Sequence, residues 1–351
     1  MTVQRHALVF GGTGHIGRWL VLELLDQGVR VQVAVRSLSS FDSLLLWLQE
    51  HGAGHHPNCV VADFSAESLG LDPASSAFRG VTEVHNVAGA YAFGMTPDDA
   101  YQANVVSARN VTAFAGMLPS LERLVHLSGY RVGGQDPADV PWSAERRAAE
   151  YRRLGAYEGS KVESDAVVQA AAIAAGVPLT VANPASVIGH SKSGECGQVL
   201  GLGTSVLDLY RGRLPALPGG KRTFVPVVTA DYLASFMALL PTVPAAEGKS
   251  YWVLDDATPP LPELLTMLGE HFGVRVPRLR IPVALLKKLP AKITRADPET
   301  LSFLSEERYP TAEAVALAEG HGLHHPPVDV ALKRWADYLV GRPATARVAS
   351  M

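Results

Sequence analysis

The stretch Ala7-Leu8-Val9-Phe10-Gly11-Gly12-Thr13-Gly14-His15-Ile16-Gly17 joins a short apolar run to a turn with regularly spaced glycines. The apolar run predicts a buried strand, and the residues after it have the apolar spacing of a helix. Glycine permits a tight turn and a close approach of a diphosphate to the backbone, and a helix N-terminus offers unpaired N–H groups. The stretch therefore predicts a dinucleotide-binding turn, although an ordinary glycine-rich βα turn would look similar. The residues expected to contact the cofactor are Gly11, Thr13, Gly14, His15, Ile16 and Gly17.

The first half of the chain alternates apolar runs with helical patterns. This alternation predicts an α/β fold, a Rossmann-type doubly wound parallel sheet with helices on both faces. Ligands of such sheets bind at the carboxyl ends of the strands, where the strand order reverses. The predicted helices include Ile16–Gln27 and Ala100–Met117, and the predicted strands are Ala7–Phe10, Arg30–Val35, Asn58–Ala62, Glu83–Val87, Arg123–Leu127 and Leu179–Asn183.

The ends of the second and third predicted strands indicate which dinucleotide binds. An NAD enzyme usually has Asp or Glu at the end of the second strand, to bind the ribose 2′-hydroxyl. This chain has Arg36 and Ser37 there, which can bind the 2′-phosphate of NADP(H), although Arg36 could also be a plain surface residue. Asp63 and Phe64 follow the third strand and are expected to bind and cover the adenine, although Asp63 could instead cap its loop.

Residues beyond Gly189 contain many glycines and prolines, short helical patterns and one further strand candidate, Ser250–Leu254. We therefore predict an NADP-binding domain at residues 1–189, to which residues 221–255 partly return. Residues 190–345 are predicted to form a smaller, mostly helical substrate-binding lobe. Its candidate pocket residues are apolar and could equally be core: Leu200, Leu202, Val206 and Leu207.

A tyrosine and a lysine four residues apart, Tyr157 and Lys161, would lie on one face of a helix. A phenol normally keeps its proton up to a pH of about 10, and a neighbouring ammonium brings it closer to neutral pH. Ser128, directly after a predicted strand, could hydrogen-bond a substrate oxygen. Taken alone, a Tyr–Lys pair at this spacing is more often a pair of surface residues. Together with the glycine turn it indicates hydride transfer with a nicotinamide cofactor.

Bulk properties exclude several classes of function. The net charge of −3 gives no reason to expect a nucleic acid or an anionic membrane as partner. The two cysteines, Cys59 and Cys196, do not form a disulfide framework, and no cysteine or histidine spacing predicts a metal site. Val167 to Gly189 is uncharged, but Gly176 and two prolines interrupt it, so we expect a buried helix and strand. No targeting segment is evident, and the chain is expected to be a soluble cytoplasmic protein.

Together these motifs resemble the extended branch of the short-chain dehydrogenase/reductase superfamily, in its epimerase/dehydratase-like or thioester-reductase-like form. The resemblance implies that Tyr157 is the general acid, that Lys161 lowers its pKa and holds the nicotinamide ribose, and that Ser128 positions the carbonyl. It also implies a proton-relay role for Asn104. Further cofactor contacts are implied for Val87, Ala88, Gly89, Pro184 and Val187. In relatives, helices equivalent to Ala100–Met117 and Tyr157–Ala175 form a homodimer interface, although helices buried inside one chain would show the same apolar surface.

The favoured function is NADPH-dependent reduction of a ketone or aldehyde in a small, largely apolar, secondary-metabolite-like substrate. A second possibility is a reductase of acyl thioesters on an acyl carrier protein, because His190–Gly194 resembles a thioester-reductase loop. Its basic docking residues would be Arg211, Arg213, Lys221 and Arg222. The motifs also allow a nucleotide-sugar epimerase or dehydratase, and an NADP-sensing regulator, which would normally have lost the tyrosine or lysine. The charged segment before Tyr157 is interpreted as a solvated helix rather than a flap.

Overall fold

The computed structural model describes residues 4–90, 94–199, 201–286 and 298–341. The chain divides into two compact units. The first comprises Met1–Tyr91, Met95–Pro184 and Leu233–Tyr251, and the second comprises Ala92–Gly94, Ala185–Tyr232 and Trp252–Met351. The assignment of cofactor and substrate binding to separate parts of the chain stays a prediction.

Seven strands within the described residues form one sheet in the order β3-β2-β1-β4-β5-β6-β10, and the register of the first six is parallel. The order reverses between β1 and β4, as in a Rossmann fold. The fold class is therefore confirmed, and the six predicted strands of the first half each end within one residue of an observed strand. The sheet strands are β1 His6–Phe10, β2 Arg30–Val35, β3 Asn58–Val61, β4 Glu83–Asn86, β5 Arg123–Leu127, β6 Leu179–Pro184 and β10 Ser250–Val253.

Two short strand pairs lie outside this sheet: β7 Ser186–Ile188 with β9 Val227–Thr229, and β8 Leu217–Pro218 with β11 Arg280–Ile281. No described helix is both long and apolar enough to cross a membrane. The helices are α1 His15–Asp26, α2 Leu38–Glu50, α3 Pro97–Ala100, α4 Ser107–Gly116, α5 Ala144–Leu154, α6 Ala156–Ala175, α7 Leu202–Tyr210, α8 Ala230–Leu239, α9 Leu261–Phe272, α10 Val283–Leu286, α11 Pro298–Ser302, α12 Ala312–Gly320 and α13 Val328–Gly341.

The predicted helix Ala100–Met117 is present, but it is not a uniform α-helix. A π-helical turn, Tyr101–Val106, separates α3 from α4. Such a turn holds an extra residue and is frequent at functional sites in proteins. The apolar pattern did not predict it, because the turn inserts one residue into a helix that is otherwise continuous.

The core of the first unit forms around the inward faces of β1, β4 and β5, where Leu8, Phe10, Val84 and Leu124 are fully buried. The Phe114 ring of α4 packs edge-on against Phe10 at a centroid distance of 6.3 Å. Burying each such side chain contributes about 1.5–3 kcal/mol. Four of the five residues of β1 are apolar and lie on both faces of the strand, which explains why β1 was predictable from its apolar run.

Helix α5 is the charged segment that was predicted to be a solvated helix, and most of its residues are exposed. Its inner face is nevertheless held firmly on α6. The Arg147 guanidinium donates to the buried Glu163 carboxylate at 2.6–3.0 Å, and the Tyr151 hydroxyl donates to the same carboxylate at 2.9 Å. Gly155, with a φ of 92°, separates the two helices in a conformation that favours glycine. The segment is therefore a helix docked on the first unit rather than a flap.

The second unit has its own apolar core, built from α7, α9 and α13. Val206 and Leu207 are buried in this core, so they pack inside the unit rather than line an open pocket. Leu202 lies partly buried at the edge of the same cluster, and Leu200 lies outside the described residues.

Candidate active site

The glycine turn lies at the carboxyl end of β1 and leads directly into α1. The Gly14 N–H donates to the Gly11 carbonyl at 3.0 Å, which closes the turn. A Cβ on Gly17 would lie 2.1 Å from that carbonyl oxygen, so only glycine fits there. No side chain caps α1 at Gly14, which leaves the first N–H groups of the helix open. An open helix N-terminus behind a side-chain-free turn fits a diphosphate group well.

The segment after β4 lies against this turn. A Cβ on Gly11 would come within 2.6 Å of the Ala88 nitrogen, and the Val87 N–H donates to the Phe10 carbonyl at 3.0 Å. The Asn104 side-chain oxygen accepts from the Ala90 N–H at 2.9 Å, just beyond Gly89. The structure thus brings together the cofactor-binding residues predicted on β1 and β4.

The end of β2 places Arg36 on the surface, where it forms no ion pair with the described residues. Ser37 is the N-cap of α2, and its hydroxyl accepts from the Ser40 N–H at 3.3 Å. A hydroxyl in this position can still donate to an anion. Arg36 and Ser37 together therefore offer a cationic surface at the strand end, which fits a 2′-phosphate.

Asp63 caps its own loop, because its carboxylate accepts from the Ser65 N–H at 2.9 Å and from the Ser65 hydroxyl at 2.6 Å. These bonds lower the pKa of Asp63. Phe64 packs edge-on against Phe10 with ring centroids 5.9 Å apart. The loop-capping role that the sequence left open for Asp63 is thus present. The predicted contacts of both residues with adenine stay predictions.

Asn104 lies in the π-helical turn and is buried. Its amide oxygen accepts from Ala90, and its amide nitrogen donates to the Ser160 hydroxyl on α6 at 2.9 Å. Asn104 therefore ties the segment after β4 to the helix that carries Tyr157 and Lys161. Its proton-relay role stays a prediction. The contact with Ser160 could not be found from sequence, because the two residues are 56 positions apart.

Tyr157 and Lys161 lie one turn apart near the start of α6, and both are half-buried. The Lys161 ammonium donates to the Leu127 carbonyl at the carboxyl end of β5, at 3.4 Å. Burial lowers the pKa of Lys161 to about 8, and the neighbouring Asp165 carboxylate opposes this shift. Burial, with a smaller contribution from the charge of Lys161, lowers the pKa of His126 on β5 to about 3. His126 is therefore neutral at physiological pH, and Lys161 is the titrating group here.

Ser128 is almost fully buried, and its hydroxyl donates to the Asp165 carboxylate at 2.6 Å. The second oxygen of Asp165 accepts from the Gln135 N–H at 3.0 Å and from the Gln169 side chain at 2.8 Å. Burial raises the pKa of Asp165, although these bonds and the charge of Lys161 oppose the rise. Sequence reasoning missed Asp165. Its available signal was its spacing, four residues after Lys161 on the same helix face.

The remaining two predicted contacts lie in different units. Pro184 ends β6, and its carbonyl accepts from the Tyr130 N–H at 3.1 Å in the first unit. Val187 lies on β7 in the second unit, opposite Val228 of β9. Their contact with the nicotinamide end of the cofactor stays a prediction.

Comparison with known proteins gives a consistent result. A sequence model of an NAD-binding family described as "Male sterility protein" matches residues 9–237. "Sterol demethylase protein B" of Methylococcus capsulatus is 27% identical over 289 residues, which are 80% of this chain and 78% of that protein. A "Putative dihydroflavonol 4-reductase" of Synechocystis sp. is 27% identical over 59% of this chain and 55% of that protein.

Two solved structures share the fold at low identity. The terminal R domain of the myxalamid PKS-NRPS pathway has a TM-score of 0.75 and 19% identity, over 97% of this chain and 92% of that one. Gre2 of Candida albicans in complex with NADPH has a TM-score of 0.68 and 15% identity, over 96% and 98% of the two chains. The family match, the glycine turn and the Rossmann topology agree. The chain belongs to the NAD-binding male sterility protein family of extended short-chain dehydrogenases/reductases and is an NAD(P)-dependent oxidoreductase.

Proposed function

We propose that this protein is an NADPH-dependent reductase that converts a ketone or aldehyde of a small, largely apolar substrate into an alcohol. The observation that carries the proposal is the bond from Lys161 to the Leu127 carbonyl. It sets the tyrosine–lysine helix at the carboxyl end of β5, and the glycine turn lies at the carboxyl end of β1 in the same parallel sheet. That edge of a Rossmann sheet is where dinucleotides and their substrates bind.

In the proposed reaction Tyr157 donates its hydroxyl proton to the carbonyl oxygen as negative charge develops there. When bound, the nicotinamide cofactor supplies the hydride that the carbonyl carbon gains. Lys161, as an ammonium ion, stabilises the tyrosinate that remains and favours its formation. Ser128 donates its single hydroxyl proton to Asp165 in this structure, so it positions the substrate oxygen only if that proton turns from Asp165 to the substrate. The tyrosine recovers its proton from solvent at the end of the cycle.

The preference for NADPH rests on Arg36, a surface cation at the end of β2 that forms no ion pair with any residue the structure describes. A guanidinium binds a phosphate through two parallel hydrogen bonds, and it offers no acceptor for a ribose hydroxyl. The apolar substrate class is supported by two of the relatives, whose names refer to a sterol and to a dihydroflavonol.

Reduction of an acyl thioester on a carrier protein is a second candidate, supported by the fold similarity to R domains from nonribosomal peptide pathways. An NADPH-depletion assay with matched ketones, aldehydes and acyl thioesters separates the two candidates. Activity with thioesters alone would replace the first proposal by the second. A nucleotide-sugar epimerase or dehydratase has less support. Such enzymes normally retain NAD, whereas this chain lacks the acidic residue at the end of β2 that usually binds the ribose of NAD.

The proton donor is tested by Tyr157→Phe, with Tyr309→Phe as the matched control. Tyr309 donates to Glu307 at the surface of the second unit, so its loss leaves the site intact. We expect Tyr157→Phe to bind NADPH normally in a fluorescence titration while kcat falls by at least about 100-fold. Full turnover by this variant would refute the assignment of Tyr157.

A further inference from the structure

A surface of the second unit combines an apolar groove with unpaired arginines, and it plays no part in the proposed chemistry. The groove encloses about 400 Å³ and lies between the end of α7 and the segment that leads into β11. Its lining residues are Leu209, Gly212, Leu214, Pro215, Arg275, Pro277, Arg278 and Leu279. We call this surface the arginine groove.

Two chain segments far apart in sequence form the arginine groove. Backbone pairing joins them, because the Leu217 N–H donates to the Leu279 carbonyl at 2.8 Å and β8 runs parallel to β11. The Tyr210 and Phe272 rings also meet edge-on, with centroids 5.1 Å apart. The groove is therefore built from packed, hydrogen-bonded backbone rather than from a single loop.

The charge of this surface is opposite in sign to that of the whole chain. The sequence contains no Asp or Glu from His271 to Leu286, although the net charge of the protein is −3. The arginines of both segments are exposed, and none forms an ion pair with the described part of the chain. These unpaired arginines are Arg211, Arg213, Arg275, Arg278 and Arg280.

Several arginines elsewhere in the protein are instead paired with carboxylates. Arg222, which was predicted to belong to a basic docking site together with Arg211 and Arg213, is paired with Glu306 at 2.7 Å. Arg147 and Arg131 form ion pairs with buried glutamates. Neighbouring arginines without carboxylate partners repel one another, so their clustering at the arginine groove favours an anionic partner.

Large apolar side chains are exposed among these arginines. Leu279, between Arg278 and Arg280, is 63% exposed, and Tyr210, next to Arg211, is 43% exposed. Soluble proteins seldom cluster such side chains unless they contact something. A partner for this surface must therefore present both negative charge and apolar groups.

We propose that the arginine groove is a docking site for an acidic amphipathic helix of a partner protein. The apolar stripe of such a helix would contact the leucines and prolines of the groove, and its flanking carboxylates would face the five arginines. The groove favours a helix over a flat bilayer, because one of its lining side chains, Leu209, is only 1% exposed and a flat surface cannot contact it. This inference is independent of which carbonyl group the enzyme reduces.

The test measures binding of a fluorescent helical peptide of about 18 residues, with leucines on one stripe and glutamates elsewhere, by anisotropy. A scrambled peptide of the same composition is the shape control. We expect the striped peptide to bind the wild-type protein at least about tenfold more tightly than the scrambled one, and to weaken as salt is raised.

Two pairs of variants locate the binding surface. Arg275→Glu combined with Arg278→Glu should weaken binding at least about tenfold, whereas Arg109→Glu with Arg152→Glu, the same charge change on the first unit, should not. Leu279→Ser should also weaken it, whereas Leu46→Ser, at an equally exposed leucine, should leave it unchanged. All four variants change surface residues, and circular dichroism checks that they remain folded.

Several results would overturn the proposal. Equal affinity of the two peptides would show that the protein attracts them by charge alone and does not recognise the apolar stripe of a helix. Equal effects of the groove variants and their controls would place the binding elsewhere. Binding of the protein to vesicles of phosphatidylglycerol and phosphatidylcholine, with no binding of the striped peptide, would identify the surface as a lipid contact instead. None of these readouts uses NADPH, so the outcome is separate from that of the proposed reaction.

Discussion

Removal of the Ser128 hydroxyl tests whether the hydrogen bond between Ser128 and Asp165 contributes to stability. In Ser128→Ala the buried Asp165 carboxylate loses the donor that lies 2.6 Å from its first oxygen. A hydrogen bond to a charged group contributes about 1.5–3 kcal/mol, so we expect a loss of stability in this range. The remaining bonds to the second oxygen, from Gln135 and Gln169, keep Asp165 in place.

Asp165→Asn should behave differently. The Asn oxygen can still accept from Gln135 and Gln169, while its amide group donates to Ser128, whose hydroxyl then becomes the acceptor. This reversed, neutral bond contributes about 0.5–1.5 kcal/mol, so the loss should be smaller than in Ser128→Ala. The Asn variant also removes the charge that raises the pKa of Lys161, so the alkaline limb of the pH–rate profile should move to lower pH.

The assay is urea unfolding, followed by far-ultraviolet circular dichroism at pH 7, of both single variants and of the double variant. We expect a coupling free energy of at least about 1 kcal/mol, because either substitution already weakens the same bond. Additive effects, within about 0.5 kcal/mol, would refute the reasoning. An unchanged pH profile in Asp165→Asn would show that Asp165 does not influence the lysine.

Three further outcomes are expected. Because burial lowers the pKa of Lys161 to about 8, its ammonium form is present below that pH and is lost above it, so kcat/KM for reduction should fall as pH rises through about 8. The variant Lys161→Arg stays charged and should not show this fall. The same fall in Lys161→Arg would mean that another group titrates. Arg36→Ala should reduce the preference for NADPH over NADH at least about tenfold in kcat/KM, and equal values for both cofactors in the wild type would contradict the proposed phosphate contact. Gly17→Ala should weaken NADPH binding at least about tenfold, because its Cβ would lie 2.1 Å from the Gly11 carbonyl oxygen; Gly54→Ala, with open space around it, is the control in the same fluorescence titration.

Much of the fold was predictable because its determinants are local. The alternation of short apolar-rich runs with helical patterns predicted the six strands of the first half, and the glycine spacing predicted the turn between β1 and α1. The π-helical turn around Asn104 was not predictable, because it inserts a single residue into a helix that is otherwise continuous. The packing of α5 against α6 could not be predicted from the sequence either, because it depends on the ion pair between Arg147 on α5 and Glu163 on α6.

The candidate site divides in the same way. The spacing of Tyr157 and Lys161 followed from helix geometry, whereas the lowered pKa of Lys161 depends on burial at the end of β5. The engagement of Ser128 by Asp165 joins residues 37 positions apart and was invisible in the sequence. The candidate site therefore carries a positioning contact that the motif alone does not contain.

The sequence by itself determined the Rossmann class, the diphosphate turn and the residue types available for proton transfer, because glycine spacing and apolar periodicity act over one or two turns of chain. Only the tertiary structure decided which polar groups are desolvated and which charges are left unpaired. Those properties depend on segments brought together from distant positions. The arginine groove, which joins residues near 211 to residues near 278, shows this most clearly.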